Sequence, residues 1–359
     1  MRIGFLGDIV CRNFKEKNFN IPLEIFEKNE INIGNLEGPI IDKKIQKTNN
    51  KPIELYSNLE VIKLFRYFNI DNVFLANNHI TDYQQPLIKT LQELSRNKIK
   101  TCGAGTSLNK AKKPIEYVIN DQKIAIFGFG WHITDCILAK QNKPGVNPFT
   151  YENLFNVYKN YRKNNKQAII LYLFNWNYEM ELFPQPAHRK ISKELIDIGV
   201  DGIIGFHPHI VQGIEVYKNK PIVYGMGNWY LPQEKYQGIK VKFPEISNLE
   251  LSLDLIYDNG EFKDIDLHWY IFDPKKNKIY YKFSEKYTDS EKIDKLTPFQ
   301  GMKHKDYKKW FKLNRRKKKF LPIYYEMNSI INNLKDIWVQ LRKMIINKLV
   351  KLKIHKGSH

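Results

Sequence analysis

Five short polar clusters interrupt apolar runs in the first 210 residues. They are Gly7-Asp8, Asn35-Leu36-Glu37-Gly38, Asn77-Asn78-His79, Asn175-Trp176-Asn177 and Gly205-Phe206-His207-Pro208-His209. Each sits just past the C-terminal end of a β-type run, where open α/β sheets place their active sites. Carboxylates, an amide oxygen and imidazoles are the donors expected for a hard-to-borderline divalent cation. Asp8, Glu37, Asn78, His207 and His209 are therefore the metal-ligand candidates, with one or two ions (Mn, Fe, Zn or Mg) as the expected cofactor. A carboxylate such as Glu37 can bridge two cations, and a pair about 3.5–4 Å apart would clamp a phosphoryl oxygen and acidify a bridging water. His79, next to Asn78, is the catalytic candidate for protonating a leaving oxygen or stabilising developing charge, and Asp82 is grouped with it. Plainer roles exist for each: helix capping for Asp8, a turn carboxylate for Glu37 before Gly38-Pro39, and turn or cap positions for Asn78 and Asp82. The pair His207 and His209, joined by Pro208, favours metal binding over a structural role.

These residues need a scaffold, and the sequence predicts one. Strands are expected at 2–6, 30–33, 72–76, 99–102, 115–119, 123–127, 168–174, 201–204 and 221–224, several rich in β-branched or aromatic residues and bounded by Gly, Asn or Pro. Helical spacing appears in 59–67, 86–96 and 187–198. Alternation of this kind argues for an α/β layered fold. Segments 249–256, 262–267, 268–272 and 279–283 predict a run of short antiparallel strands. The expected division is a catalytic core over 1–232, a β-rich extension over 233–300 and a basic helical tail over 301–359.

The chain has 359 residues, with 42% apolar, 27% charged and 13% aromatic side chains. That composition excludes extended disorder. No stretch approaches the roughly 20 uninterrupted apolar residues of a bilayer span, and no cleaved secretion signal is expected. Three cysteines, Cys11, Cys102 and Cys136, do not make a disulfide framework. The net charge of +20 is concentrated in the tail: residues 302–359 hold 17 Lys and Arg against 3 Asp and Glu. After the basic run Arg315–Lys319, apolar residues at Ile330, Leu334, Ile337, Leu341, Ile345, Leu349 and Leu352 fall on one helical face. This suits an anionic membrane surface; the alternative is a helix packed on the body. No nucleic-acid module is recognisable, so no specific nucleic-acid partner is expected.

Several segments together resemble the bacterial capsule-synthesis CapA family, which includes poly-gamma-glutamate synthesis proteins and belongs to the calcineurin-like metallophosphoesterase superfamily. They are Gly7-Asp8, Asn35-Leu36-Glu37, Asn77 to Tyr83, Gly103-Ala104-Gly105 and, most specifically, LIDIGVDGIIGFHPHIVQGIEVYKNKPIVYGMGNW from Leu195 to Trp229. The resemblance implies a four-layer α/β/β/α sandwich with a metal site at the strand ends. It implies Asp8, Glu37 and His209 around one metal, Glu37, Asn78 and His207 around a second, and His79 beside the substrate phosphate. Where the family carries His-Trp-Gly, this chain has Asn175-Trp176-Asn177, and an amide binds a transition metal more weakly than imidazole. Glu179 matches the family's glutamate, and His188 stands where the family has glutamine, a replacement ligand by this reading. Asn175, Trp176, Glu179, His132 and His188 are the expected substrate-side residues, with packing around the site the plainer role for Trp176.

The expected function is metal-dependent phosphoester hydrolysis or phosphoryl-group transfer in capsule or surface-polysaccharide biosynthesis. The substrate would be a phosphorylated or nucleotide-linked glycan precursor, and the setting cytoplasmic or peripheral on the inner membrane face. The alternatives are a non-hydrolytic component of polymer synthesis or export, and a silent scaffold.

Overall fold

A computed structural model describes residues 1–41, 54–82, 86–236, 239–316 and 320–351. Tyr83, Lys317, Lys318, Lys319, Leu352 and Lys353 lie outside the described residues.

Two sheets form the centre. The first contains β1 (Arg2–Ile9), β2 (Ile31–Leu36), β3 (Asn72–Phe74) and β4 (Lys100–Cys102), paired in that order and all parallel. The second is built from β5 (Ile115–Ile119), β6 (Gln122–Gly130), β7 (Ile169–Asn175), β8 (Gly202–Phe206), β9 (Ile214–Tyr217) and β10 (Lys220–Val223). Its order is β9-β10-β8-β7-β6-β5, with a parallel centre and antiparallel edges. The chain then returns to the first sheet. The short β11 (Asn228–Tyr230) pairs parallel with the end of β1, and β12 (Leu249–Asp258) pairs antiparallel along its body. β13 (Glu261–Asp273) and β14 (Lys278–Lys286) continue the sheet outward.

One expectation is corrected here. Segments 262–267 and 268–272 form one 13-residue strand, β13, rather than two. Leu267-His268 supplies none of the residues a tight turn needs. The irregularity falls later, as a register shift at Trp269/Tyr270 against β14.

Side-chain alternation on the second sheet explains the layering. Ile169, Leu171 and Leu173 of β7 join the cluster shared with the first sheet, while Ile170, Tyr172 and Phe174 join the outer one. β6 divides likewise, with Ile124 and Ile126 inward and Ala125, Phe127 and Phe129 outward. The outer cluster is completed by α3 (Tyr151–Asn164) and α4 (Pro186–Ile198), through Leu154, Val157, Ile191 and Leu195. On the first sheet, α1 (Glu60–Tyr67) and α2 (Pro86–Arg96) contribute Val61, Leu64, Phe65, Leu87 and Leu94 to the inner cluster. The result is an α/β/β/α sandwich.

Two helices follow in the tail: α5 (His304–Asn314) and α6 (Ile331–Lys351). Tyr307 and Phe311 of α5 are buried in the outer cluster. Arg189 of α4 reaches across to donate to the carbonyl of Met302 at 2.8 Å. No helix among the described residues is long and apolar enough to cross a membrane.

Candidate metal centre at the strand ends

Parallel pairing brings the polar clusters together, because each follows or ends a strand pointing the same way. Asp8 lies near the end of β1, held there by the close approach of β11. Gly7 is required at this crossing, since a Cβ would stand 2.2 Å from the Gly227 carbonyl oxygen. Asn35, next to last in β2, lies beside Asp8 in register, and its amide donates to Asp8 Oδ1 at 2.6 Å and to Glu37 Oε2 at 2.8 Å. Asn77 in turn donates to Asn35 Oδ1 at 3.0 Å and to the Leu36 carbonyl at 2.7 Å. This asparagine relay places two carboxylates side by side, both fully buried.

His207 and His209 follow β8 on a backbone with positive φ, 94° and 58°. Non-glycine residues hold such a conformation only where surrounding structure enforces it. His209 Nδ1 lies 2.9 Å from Asp8 Oδ2 and 3.0 Å from Asn228 Oδ1. His207 Nδ1 lies 3.1 Å from Asn78 Oδ1, and the two imidazoles are 5.8 Å apart centre to centre. His79 Nε2 is 4.0 Å from Glu37 Oε1, while its Nδ1 bonds to Asp82. Asp82 also accepts from the Leu55 backbone N–H at 3.2 Å. It is therefore a buried orienting group for His79.

The electrostatics follow from burial. Removal from water, then the adjacent Asp8 charge, push the Glu37 carboxyl up to about 8. Burial alone would lower His209, but the bond to Asp8 and its charge raise it to about 9. Burial holds His207 well below the ordinary imidazole value, against an opposing pull from Glu179.

Other expected residues divide. Asn175, the last residue of β7, joins the site: its amide donates to Thr134 Oγ1 at 3.0 Å and to Asn78 Oδ1 at 3.4 Å. Glu179 is close enough to act electrostatically on both His207 and His209. Trp176 is fully buried and donates its indole N–H to the Tyr224 carbonyl at 2.9 Å, so it is packing and not a substrate platform. His188 is corrected too. It stacks on Trp176 at 4.9 Å and 9°, with Trp131 and Phe149 edge-on, and both ring nitrogens lack hydrogen-bond partners among the described residues. This aromatic box lowers its pKa to about 3 through burial and does not offer it as a replacement ligand. His132 pairs with Asp336 of α6 at 2.9 Å, lining a separate cleft with Trp131, Tyr324 and Asp336. Sequence reasoning gave no role to Asn35 and Asn77 within their clusters and did not select Asn228 or Thr134, because their roles depend on neighbours distant in the chain. The recurrence of Asn at strand ends was the available signal.

Donor chemistry fits a cation. Burial and the Asp8 charge hold the Glu37 carboxyl above its ordinary value, and a cation joining the site would let it ionise. The buried Glu37 Oε1 and Asn175 Oδ1 have no hydrogen-bond partner among the described residues. The donors stand as pairs: among the described residues no group of three or more His, Cys, Asp or Glu is already gathered as an ion-holding set.

The sequence family described as Bacterial capsule synthesis protein PGA_cap matches residues 7–233, well over half of the chain. The chain belongs to this family. It is similar to the PGA biosynthesis protein CapA of Bacillus subtilis, 32% identical over 241 residues, covering 64% of this chain and 63% of that protein. It is also similar to the Capsule biosynthesis protein CapA of Bacillus anthracis, at 29% over 206 residues (56% and 50%). A probable polyglutamine synthesis accessory protein of Mycobacterium tuberculosis matches at 27% over 175 residues (46% and 45%). The chain thus spans about half to two thirds of the length of these relatives. Among solved structures, a hypothetical protein from Thermus thermophilus aligns at TM-score 0.47 and 13% identity, covering 76% of this chain and 99% of that one. A 5'-nucleotidase precursor from the same organism aligns at 0.43 and 15% (77% and 55%).

Proposed function

We propose that the protein serves the synthesis of a capsule or related surface polymer, with metal-assisted chemistry at a phosphorus centre. The reaction is either hydrolysis of a phosphoester or transfer of the phosphorus-bearing group to a glycan precursor. The observation that carries this reading is the strand-end assembly of Asp8, Glu37, Asn78, His79, His207 and His209, with Glu37 Oε1 left without a hydrogen bond inside it among the described residues.

Asp8, Glu37 and His209 would hold one divalent cation, and Glu37, Asn78 and His207 a second. A cation in such a site supplies Lewis acidity toward a phosphoryl oxygen and acidifies a bound water. The protein's own groups do the rest. His79, with Nδ1 fixed by Asp82, keeps Nε2 toward Glu37, and this nitrogen can deliver a proton to a leaving oxygen. Asn35 holds the two carboxylates at a common spacing. Asn175 places an amide where imidazole would bind metal more tightly, which weakens the second position.

A non-hydrolytic accessory role is the second reading, favoured by the accessory name of the mycobacterial relative. Metal analysis of the purified protein, followed by turnover of aryl phosphodiesters and of a nucleotide-activated donor with and without glycan, separates the two. Bound Mn, Fe or Zn with turnover lost in Asp8→Asn and His209→Ala supports the phosphorus-centre reading. Metal-free protein inert on every donor, even after metal loading, overturns it in favour of the accessory role.

A further inference from the structure

Helix α6 is turned opposite to the usual orientation of a helix packed on a globular body. Its inward side is mostly polar: Asn332, Asp336 and Lys343 line it with the buried Val339. Asp336 meets His132 at 2.9 Å and accepts from the Tyr324 hydroxyl at 2.7 Å. Lys343 donates to the Ile133 carbonyl at 2.5 Å and to Asp135 at 2.7 Å. The apolar row that the sequence predicts as one face points outward. Leu334, Ile337, Trp338, Leu341, Met344 and Ile345 are 46–70% exposed, and Phe320, whose carbonyl accepts from the Trp338 indole, is 73% exposed.

Charge surrounds this row asymmetrically. By helical position, Lys335 and Arg342 border it on one side and Lys348 lies within it near the C-terminal end. Asp336 is the sole acidic residue of the helix, and it faces the body. In sequence the basic run Arg315 to Lys319 precedes Phe320, with Arg315 itself paired to Glu181 at 3.2 Å.

We propose that α6 docks flat on an anionic lipid surface, with the outward row entering the headgroup boundary and the flanking cations meeting lipid phosphates. An amphipathic helix with cations beside an exposed apolar face is the physical form of such an anchor. A second copy of this chain is a poorer occupant, because it would set two basic tails against each other. The attachment also reaches the strand-end site: α6 grips residues 132–135, and Thr134 of that loop is a partner of Asn175.

The test is co-sedimentation of the full chain with phosphatidylcholine vesicles and with vesicles in which a third of the lipid is phosphatidylglycerol. Binding should be strong only to the anionic vesicles and fall steeply with added salt. Leu334→Asp with Leu341→Asp should weaken it at least tenfold. Arg342→Gln and Lys348→Gln should each weaken it about fivefold. All four positions are at the helix surface, and an unchanged melting temperature confirms the fold. Should a variant unfold, the vesicle comparison on the parent chain still decides. Absent binding, equal binding to neutral and anionic vesicles, or binding indifferent to all four substitutions overturns the proposal. So does a dimer in solution that Leu334→Asp dissociates while lipid binding is absent.

Discussion

Two groups of buried charge in this molecule follow opposite rules. At Arg189–Glu215, both carboxylate oxygens are taken: Arg189 Nε and Nη2 donate at 2.6 Å each, the Tyr224 hydroxyl at 2.7 Å, and Lys193 stands 3.3 Å away. At Asp8–Glu37–His209, two carboxylates share one asparagine amide, and Glu37 Oε1 has no hydrogen-bond partner among the described residues. Buried charge costs several kcal/mol unless it is paired and hydrogen-bonded. A closed ion pair meets that need within the fold. An open one meets it when something positive arrives. The first group joins α4 to the tail segment around Met302, whereas the second keeps its capacity for a ligand.

The largest expected effect falls on the closed group. Glu215→Gln should cost about 3–5 kcal/mol in denaturant unfolding, since it strands the Arg189 guanidinium in the core. Replacing both partners by apolar residues, Arg189→Met with Glu215→Leu, should cost much less. If the double variant is as damaged as the single, the pair contributes by more than mutual neutralisation. The same group sets a pH dependence. Burial alone would raise the Glu215 carboxyl, but Arg189 more than offsets it and holds it below the usual range. Its contribution is complete above the unfolded value of about 4.3 and fades as pH falls through the lowered folded value. An acid unfolding series should show this fall, and Glu215→Gln should flatten it.

The open group should respond the other way. Glu37→Gln removes one of two adjacent buried carboxylates, so folding free energy in chelator should change by less than about 1 kcal/mol. Calorimetric affinity for Mn should drop at least as far as the roughly 10–100-fold attached to losing an outer partner. A variant that unfolds the protein without touching metal affinity would merge the two groups into one kind.

Asp82→Asn is expected to be intermediate. It should lower turnover about 10–100-fold by releasing the His79 ring, shift the pH–rate profile, and leave metal affinity unchanged. The smallest effect is expected at His188. Its ring lies among aromatic side chains, so His188→Phe should be neutral or gain up to about 1 kcal/mol. Metal content should stay the same; a loss of metal would restore His188 as a ligand.

Much of the fold was legible in the sequence because strand periodicity and bounding Gly and Asn residues are local signals. The strand expected at 115–119 and the helix at 86–96 agree with β5 and α2. Helices α3 and α5 were missed, because their buried faces are short and interrupted by charge. Thr150, which caps α3 by accepting from the Asn153 N–H at 3.4 Å, was the available cue. At the site, residue types at strand ends together with the family resemblance gathered Asp8, Glu37, Asn78, His207 and His209 as candidates. His188 was misplaced because its match to the family's glutamine does not tell which side chains close around it.

The amino-acid order determined which residues have a chemistry to offer, where β-type runs stop, and that an apolar stripe recurs along residues 330–345. These properties reside in single side chains and in spacings of two to four residues. Tertiary structure decided that Asn35 bridges Asp8 and Glu37, that His188 is enclosed by rings, and that the stripe of α6 faces outward. Those outcomes depend on which distant segments pack together, and one-dimensional periodicity carries no information about the neighbour on the other side.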